Sequence, residues 1–310
     1  LKSRGLGDVY KRQGTDSHLN ILGAIGTFGQ GMGDKDIAFA FRAGKTWFGV
    51  PHTMKVSVTG ELKPPCTPKD LTLACLRELG ASGALGQAIE FYGPAVDALD
   101  LAGRITLASM MTEMGGIIGL IPPSEEVLAY CRERTGREDL MAIHADPDAT
   151  YTREIEVDIT GLEPLIACPP KPDNVRPVSE VAGTKVDSVF IGSCTNGRFE
   201  DFAAIAEVVK GRTIAPGMVA SVVPATREVY SQMLQSGVLQ TLFDAGFIVS
   251  NPGCGGCASG HIGMVGAGQV QVSTSNRNFA GKQGPGDNYL ASPAVAAWAA
   301  LAGEITVASA

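Results

Sequence analysis

The chain has 310 residues, enough for two or three domains of ordinary size. Apolar residues make up 45% and charged residues only 18%, which excludes a disordered chain and allows a sizeable core. A formal net charge of −7, with no run of Lys or Arg, argues against nucleic acid or an anionic membrane as a partner. Aromatic residues, at 6%, are too few for a platform that stacks single-stranded bases. Seven cysteines in a chain too large to need disulfide staples favour a reduced, cytoplasmic location and metal or catalytic use. No apolar run reaches the roughly 18 residues of a membrane span, since Pro293 to Gly303 is too short. The first residues lack the apolar core of a signal peptide.

Residues 1–13 read LKSRGLGDVYKRQ and join abruptly to a Gly/Ala-rich segment. The string Asp8 to Gln13 resembles the translation of a transposon end used in sequencing libraries. Residues 1–13 are therefore set aside as non-native, and the chain is expected to be an N-terminally truncated fragment. Residues 14–50 are Gly-rich, with a helical stretch around Asp34 to Ala43. Val56 to Val58 alternates like a short strand, turned by Gly60. Pro64-Pro65 breaks the chain, and Thr67-Pro68-Lys69-Asp70 opens a helix: Thr67 can cap, Pro68 suits the first position and Asp70 favours the positive end. Leu71, Ala74, Cys75 and Leu79 give that helix one apolar face, and Gly80 can stop it. A mixed region runs to about Leu165, and Pro169, Pro170, Pro172 and Pro177 read as a connector at a domain boundary.

The last third carries the clearest pattern. Val186 to Ile191 reads as a strand ending in Gly192-Ser193-Cys194-Thr195-Asn196-Gly197-Arg198. A helix follows, with Phe202, Ile205, Ala206 and Val209 on one face. Met218 to Val223 is the next strand, and Arg227 to Gln235 the next helix, stopped by Gly237. Phe247 to Val249 is a third strand, ending in Asn251-Pro252-Gly253-Cys254-Gly255-Gly256-Cys257, and Val270 to Val272 a fourth, ending in Ser273-Thr274-Ser275-Asn276-Arg277-Asn278. Alternation of strand and helix predicts an α/β fold with a parallel or mixed sheet, and ligands bind beyond the carboxyl ends of such strands. Three polar motifs at three such ends can converge on one site.

Cys254-x-x-Cys257 lies in a glycine-rich loop. Zinc, redox dithiol and cluster sites all use such a pair, but a zinc ribbon needs a second pair, and none exists here. Cys194 is the only other cysteine at a strand end. Three thiolates suit an iron–sulfur cluster with one iron lacking a cysteine, and that iron is a Lewis acid for a hydroxyl or carboxylate. Taken alone, Cys194 reads equally well as a small buried hydrophobe, and Cys66, Cys75, Cys131 and Cys168 read as buried or incidental thiols. Asp16-Ser17-His18 packs an acid, a hydroxyl and an imidazole together, which offers acid–base groups; alone, a capping Asp or Ser with a surface His is the commoner reading. Asn276, Arg277 and Lys282 offer donors for carboxylates, although such a string is usually a solvated turn. Glu113 lies in an otherwise apolar run, either shifted in pKa by burial or, more commonly, solvent-facing at a helix end. His52, His144 and His261 have no metal-ligand spacing and read as structural.

Together these residues resemble the aconitase superfamily, and within it the large subunits of 3-isopropylmalate dehydratase. The resemblance is carried by Gly14-Thr15-Asp16-Ser17-His18, Gly44-Lys45-Thr46-Trp47-Phe48, Glu90-Phe91-Tyr92-Gly93, Phe190 to Arg198, the CGGC loop, and Ser273 to Phe279. It implies aconitase-like three-layer α/β domains: a remnant of a first domain over 14–50, a second over 51–165 and a third over 166–310 with all the cluster cysteines. It implies a four-iron–four-sulfur (4Fe-4S) cluster on Cys194, Cys254 and Cys257, and removal and re-addition of water on a hydroxy-polycarboxylate, as in leucine biosynthesis. Asp16, Ser17 and His18 match the active-site triplet, and His18 would pair with Glu113 near the iron-bound hydroxyl. Asn276 would hydrogen-bond the cluster and Arg277 a substrate carboxylate. A separate small subunit carrying the swivelling domain would be the partner.

Lys282 stands where the family usually has arginine, which removes a bidentate fork. Ser109 stands for an active-site asparagine, and Met114 to Ile118 for a more polar segment. Homoaconitase, aconitase and dimethylmalate-type dehydratases remain open within the class. Outside it stand an iron-sensing or RNA-binding relative and a zinc-binding structural domain.

Overall fold

The computed structural model describes residues 11–307, with side chains from residue 14 onward. The expectation that residues 1–13 are non-native thus falls mostly outside the described residues. Lys11–Gly14 forms a strand, β1, that pairs in parallel with β2 (Phe28–Gly31). The architecture is α/β, as the alternation predicts. The chain divides into two compact units, residues 1–61 with 78–160, and residues 62–77 with 161–310.

In the first unit the helix Asp34–Ala43 forms where it is expected, with Asp34 and Asp36 in its first turn, Arg42 in its last and Gly44 ending it. A four-stranded parallel sheet follows, ordered β5-β4-β3-β6, from β3 (Thr53–Thr59), β4 (Ala88–Tyr92), β5 (Ile118–Leu120) and β6 (Glu154–Asp158). Strand β3 is longer than the apolar alternation of 56–58 suggests. Met54, Val56 and Val58 face the core, while the intervening Thr53, Lys55, Ser57 and Thr59 are only half-buried, so polar residues extend the strand. The helix Leu101–Ser109 is capped by Asp100, whose Oδ1 accepts from Gly103 N at 2.7 Å. It runs directly into a 3₁₀ turn, Met110–Met114, that carries Glu113.

The second unit holds a seven-stranded sheet. Its strands are β7 (Leu165–Ala167), β8 (Val175–Pro177), β9 (Ser188–Gly192), β10 (Val219–Val223), β11 (Ile248–Val249), β12 (Val270–Ser273) and β13 (Asp287–Ala291). The order is β11-β10-β9-β12-β13-β7-β8, with β9 to β13 parallel and β7 and β8 antiparallel at one edge. The Pro-rich stretch is not a linker: it forms the turn and second strand of the β7–β8 hairpin. Proline is tolerated there because an edge strand leaves one row of amides unpaired. The chain passes between the units after residues 61, 77 and 160, the last of these close to the expected boundary at 165.

The helix Phe199–Val209 presents the predicted face, with Phe202, Ile205, Ala206 and Val209 buried beside Val189, Ile191, Val222 and Val272 of the sheet. Val295, Ala296 and Ala300 of the helix Pro293–Ala302 complete that core. No helix among the described residues is long and apolar enough to cross a membrane.

The helix Pro68–Leu79 groups with the second unit through Arg77, although more than 80 residues separate it from β7. It is more deeply buried than its one apolar face predicts, since Lys69, Asp70, Thr72 and Leu73 are as inaccessible as Leu71 and Cys75. Asp70 anchors it. Oδ2 accepts from Thr67 N at 2.8 Å and Thr67 Oγ1 at 3.0 Å, and Oδ1 accepts from Leu165 N at 2.8 Å. Burial outweighs these donors and pushes the carboxyl up to about 6. The folded chain therefore holds a proton that the unfolded chain has lost. Stability from this group is full below about pH 4, falls as pH rises and is lost above about 6. Denaturant unfolding of Asp70→Asn and the wild type should show the difference moving in the variant's favour between pH 4 and pH 7. A difference that stays constant with pH would contradict this.

Candidate functional site

The predicted residues fall into two groups, one in each unit. In the first, the 3₁₀ segment Ser17–Ile25 starts at Asp16, whose Oδ1 accepts from His18 N at 2.8 Å. The capping reading of Asp16 is therefore correct, but His18 is not a surface residue. It is 6% exposed, and its Nε2 lies 3.2 Å from Oε1 of Glu113, itself 5% exposed. Glu113 is thus neither solvent-facing nor isolated. A buried carboxylate on one imidazole nitrogen fixes the ring's orientation and tautomer and can exchange a proton with it. Asp16 and Ser17 are exposed, with Asp16 Oδ1 3.9 Å from the other ring nitrogen.

The sequence reading missed the groups that brace this pair. Asn20 is 2% exposed and donates through Nδ2 to Thr112 Oγ1 at 2.8 Å, and Thr112 Oγ1 donates to Ser17 O at 3.0 Å. Nothing in the local pattern around Asn20 marks it, because its partner lies 92 residues away. Ser109 is fully buried at the end of the helix Leu101–Ser109.

In the second unit the three expected polar motifs do share one edge of the sheet. β9, β11 and β12 run in parallel, so Cys194, the CGGC loop and Asn276-Arg277 all follow carboxyl ends. The chain leaves β9 through Gly192 at φ 136°, where a Cβ would lie 2.0 Å from Val223 O. Ser193 follows at φ 78°, a left-handed conformation unusual outside glycine, with its N donating to Val223 O at 3.2 Å. Cys194 Sγ then lies 3.8 Å from Thr195 Oγ1. Asp201 closes the loop beneath: it accepts from Arg198 N at 3.0 Å and Asn196 Nδ2 at 3.4 Å, and burial pushes its carboxyl up to about 7.

The CGGC loop rests on the ring of Phe190 in β9. Gly255 has φ 54°, and a Cβ there would lie 2.5 Å from that ring. This holds Cys254 and Cys257 on a backbone cradle no bulkier residue allows. At the end of β12 and just past it, Ser273, Thr274, Ser275, Asn276 and Asn278 are all buried, while Arg277 and Lys282 are half-buried. A dense polar group at a strand end is the setting of a ligand site rather than of a core.

The thiols differ in kind. Burial pushes Cys66 and Cys75 up to about 12, so they stay protonated and are poor ligands. Cys194 and Cys257 are half-buried and Cys254 is exposed, which leaves their sulfurs accessible to iron. Among the described residues, no three His, Cys, Asp or Glu side chains stand close enough together to hold a metal ion. The donor chemistry and the glycine cradle fit a sulfur-ligated cluster on Cys194, Cys254 and Cys257, whose thiols would have to close on it. Gly255→Ala, which drives a methyl group into Phe190, should destabilise the second unit by about 1–3 kcal/mol and lower iron uptake, read by denaturant unfolding and by iron analysis after reconstitution. Unchanged stability and uptake would mean the cradle is not required.

Comparisons with known proteins identify the family. The sequence model of the Aconitase family (aconitate hydratase) matches residues 11–184 and 179–303. The 3-isopropylmalate dehydratase large subunit 1 of Methanopyrus kandleri is 46% identical over 295 residues, 94% of this chain and 70% of that protein. The 3-isopropylmalate dehydratase large subunit of Nitratidesulfovibrio vulgaris is 46% identical over 303 residues, 97% of this chain and 72% of that protein. A probable methanogen homoaconitase large subunit of Methanothermobacter thermautotrophicus is 43% identical over 295 residues, 94% of this chain and 69% of that protein. Among solved structures, aconitase X of Thermococcus kodakaraensis superposes with a TM-score of 0.51 at 13% identity. That match covers 88% of this chain and 63% of the other, and speaks to the fold alone. With its motifs at the carboxyl edge of a parallel sheet and these relatives along nearly its whole length, the chain belongs to the aconitase family of hydro-lyases.

Proposed function

We propose that this chain is the cluster-bearing large subunit of a hydro-lyase that isomerises 3-isopropylmalate, with a separate small subunit as its partner and a cytoplasmic location. The observation that carries the reading is the shared sheet edge. Three accessible cysteines and a buried polar turn follow parallel strands, in a chain 46% identical to proteins named for that activity. Cys194, Cys254 and Cys257 would hold a 4Fe-4S cluster, which when bound supplies a Lewis-acidic iron for a hydroxyl and a carboxylate.

The chain's own residues do the rest. Arg277, in the turn that follows β12, binds a substrate carboxylate through its planar fork. Lys282 adds a single point charge, and so orients a second carboxylate less strictly than an arginine would. Asn276, buried one residue earlier, would offer its amide to the cluster. His18 and Glu113 share a proton across their 3.2 Å contact and can give it to a departing hydroxyl or take it back from water. Asp16 caps the turn that presents His18, and Ser17 offers an exposed hydroxyl to substrate. A homoaconitate-type substrate is the second reading, favoured by relatives of that name at 43% and 44% identity.

Anaerobic iron–sulfide reconstitution tests the site. The wild type should bind iron and sulfide and give a three-iron EPR signal after mild oxidation, and Cys194→Ala should abolish it. A folded chain that takes up zinc and no cluster would overturn the reading. With a small subunit added, turnover of 3-isopropylmalate but not homoaconitate would select the first substrate, and the reverse the second. Glu113→Gln should keep the iron content and lower kcat by about 10²–10⁴-fold, as expected for loss of a general acid–base group.

A further inference from the structure

The helix Pro68–Leu79 brings a charged side chain to the cysteine-bearing edge, and the proposed function does not use it. Lys69 is completely buried. Its Nζ donates to the carbonyl oxygens of Thr274 at 3.2 Å and Ser275 at 2.9 Å, across more than 200 residues of sequence. An ammonium removed from water keeps its charge only where oxygen dipoles replace its hydration. Two of those dipoles here are the last two peptide carbonyls before Asn276.

Two successive carbonyls that turn to one cation cannot rotate independently. The clamp therefore fixes the direction in which the next peptide leaves β12. The same turn is held on its other side by β9: Thr274 N donates to Phe190 O at 3.0 Å, and Thr274 Oγ1 accepts from Gly192 N at 2.9 Å, two residues before Cys194. Ser275 N donates to Ser273 Oγ at 3.0 Å, and Ser275 Oγ to Gln283 Oε1 at 2.6 Å. The backbone that carries Lys69 is anchored as well: its N donates to Thr67 Oγ1, and the neighbouring Asp70 ties down the first helical turn.

We propose that Lys69 is a positioning residue. Its ammonium sets the backbone from which Asn276 and Arg277 project, and so the placing of the substrate carboxylate relative to the Cys194 loop. The proposal rests on the reading of Arg277 as a carboxylate ligand, but its structural half stands apart from the cluster.

The test uses the 310-residue chain with Lys69→Met, which keeps length and removes both bonds, and Lys69→Gln, which keeps N–H donors on a shorter stem. Hydrogen exchange, measured without iron, should rise at least about tenfold at residues 274–278 in the Met variant. It should rise less in Gln and stay unchanged in β10 and the helix Phe199–Val209. After reconstitution and addition of the small subunit, KM should rise about tenfold for Met, less for Gln, with kcat changed less than about threefold. Exchange that rises uniformly across the second unit would overturn the proposal, as would an unchanged turn or a KM that does not move. Should the Met variant fail to fold, the Gln variant carries the same exchange and KM comparison, and wild-type values there would overturn it. A wild type that takes up no iron defeats the functional reading, whereas the iron-free exchange pattern still decides whether Lys69 holds the turn.

Discussion

Thr274 Oγ1 sits between the backbone N–H and C=O of Gly192, accepting from one at 2.9 Å and donating to the other at 3.3 Å. That hydroxyl ties the carboxyl end of β12 to the carboxyl end of β9, just where the ladder between them runs out. Everything at the edge depends on such substitutes for the ladder. A strand that ends inside a protein leaves backbone donors and acceptors that water cannot reach, and each costs free energy unless a side chain replaces it. Ser273, Ser275, Gln283 and Asn288 extend the replacement network, with Gln283 Oε1 accepting from both Ser275 Oγ and Asn288 Nδ2 at 2.6 Å. A buried network this densely bonded is stiff, although Asn288 Oδ1 has no partner in it. It can therefore present Asn276 and Arg277 in a defined place, beside loops that leave Cys194, Cys254 and Cys257 accessible.

The first unit solves a different problem with a different device. It must bury an imidazole and a carboxylate together, and it does so on two short 3₁₀ segments rather than on strand ends. Neither segment is regular enough to hold a side chain by packing alone. Asn20 and Thr112 supply the missing constraint, and Thr112 passes it to the backbone at Ser17. Asp16 stays outside, exposed, and works through the backbone of His18. In the proposed function this group would transfer and orient protons, while the second unit would hold the cluster and a carboxylate.

Some features were legible because they are local. The helix Asp34–Ala43 and the start of the helix Pro68–Leu79 follow from their first-turn acids, a proline at the first position and a glycine at the end. The strand–loop–helix run from Ser188 to Val209 follows from apolar spacing that each element needs whatever its neighbours are. The sharing of one edge by the three motifs also follows from sequence, because right-handed crossovers make successive strands parallel and align their carboxyl ends. The prolines misled at 169–177, since a hairpin edge and a linker accept the same residues.

The sequence by itself determined where many of the elements lie, to within a few residues, and which residue types stand at the ends of several strands. Those choices are set by backbone torsion, by caps and by the period of apolar residues, all within a few positions of each other. Tertiary structure alone decided that the helix Pro68–Leu79 returns to the far end of the chain, that Lys69 faces Thr274 and Ser275, that Asn20 reaches Thr112, and that His18 and Glu113 are shut away from water together. These are contacts over tens to hundreds of residues. Their energy lies in desolvation and in matching donors to acceptors after the chain has closed on itself, and no local pattern encodes which partner will be there.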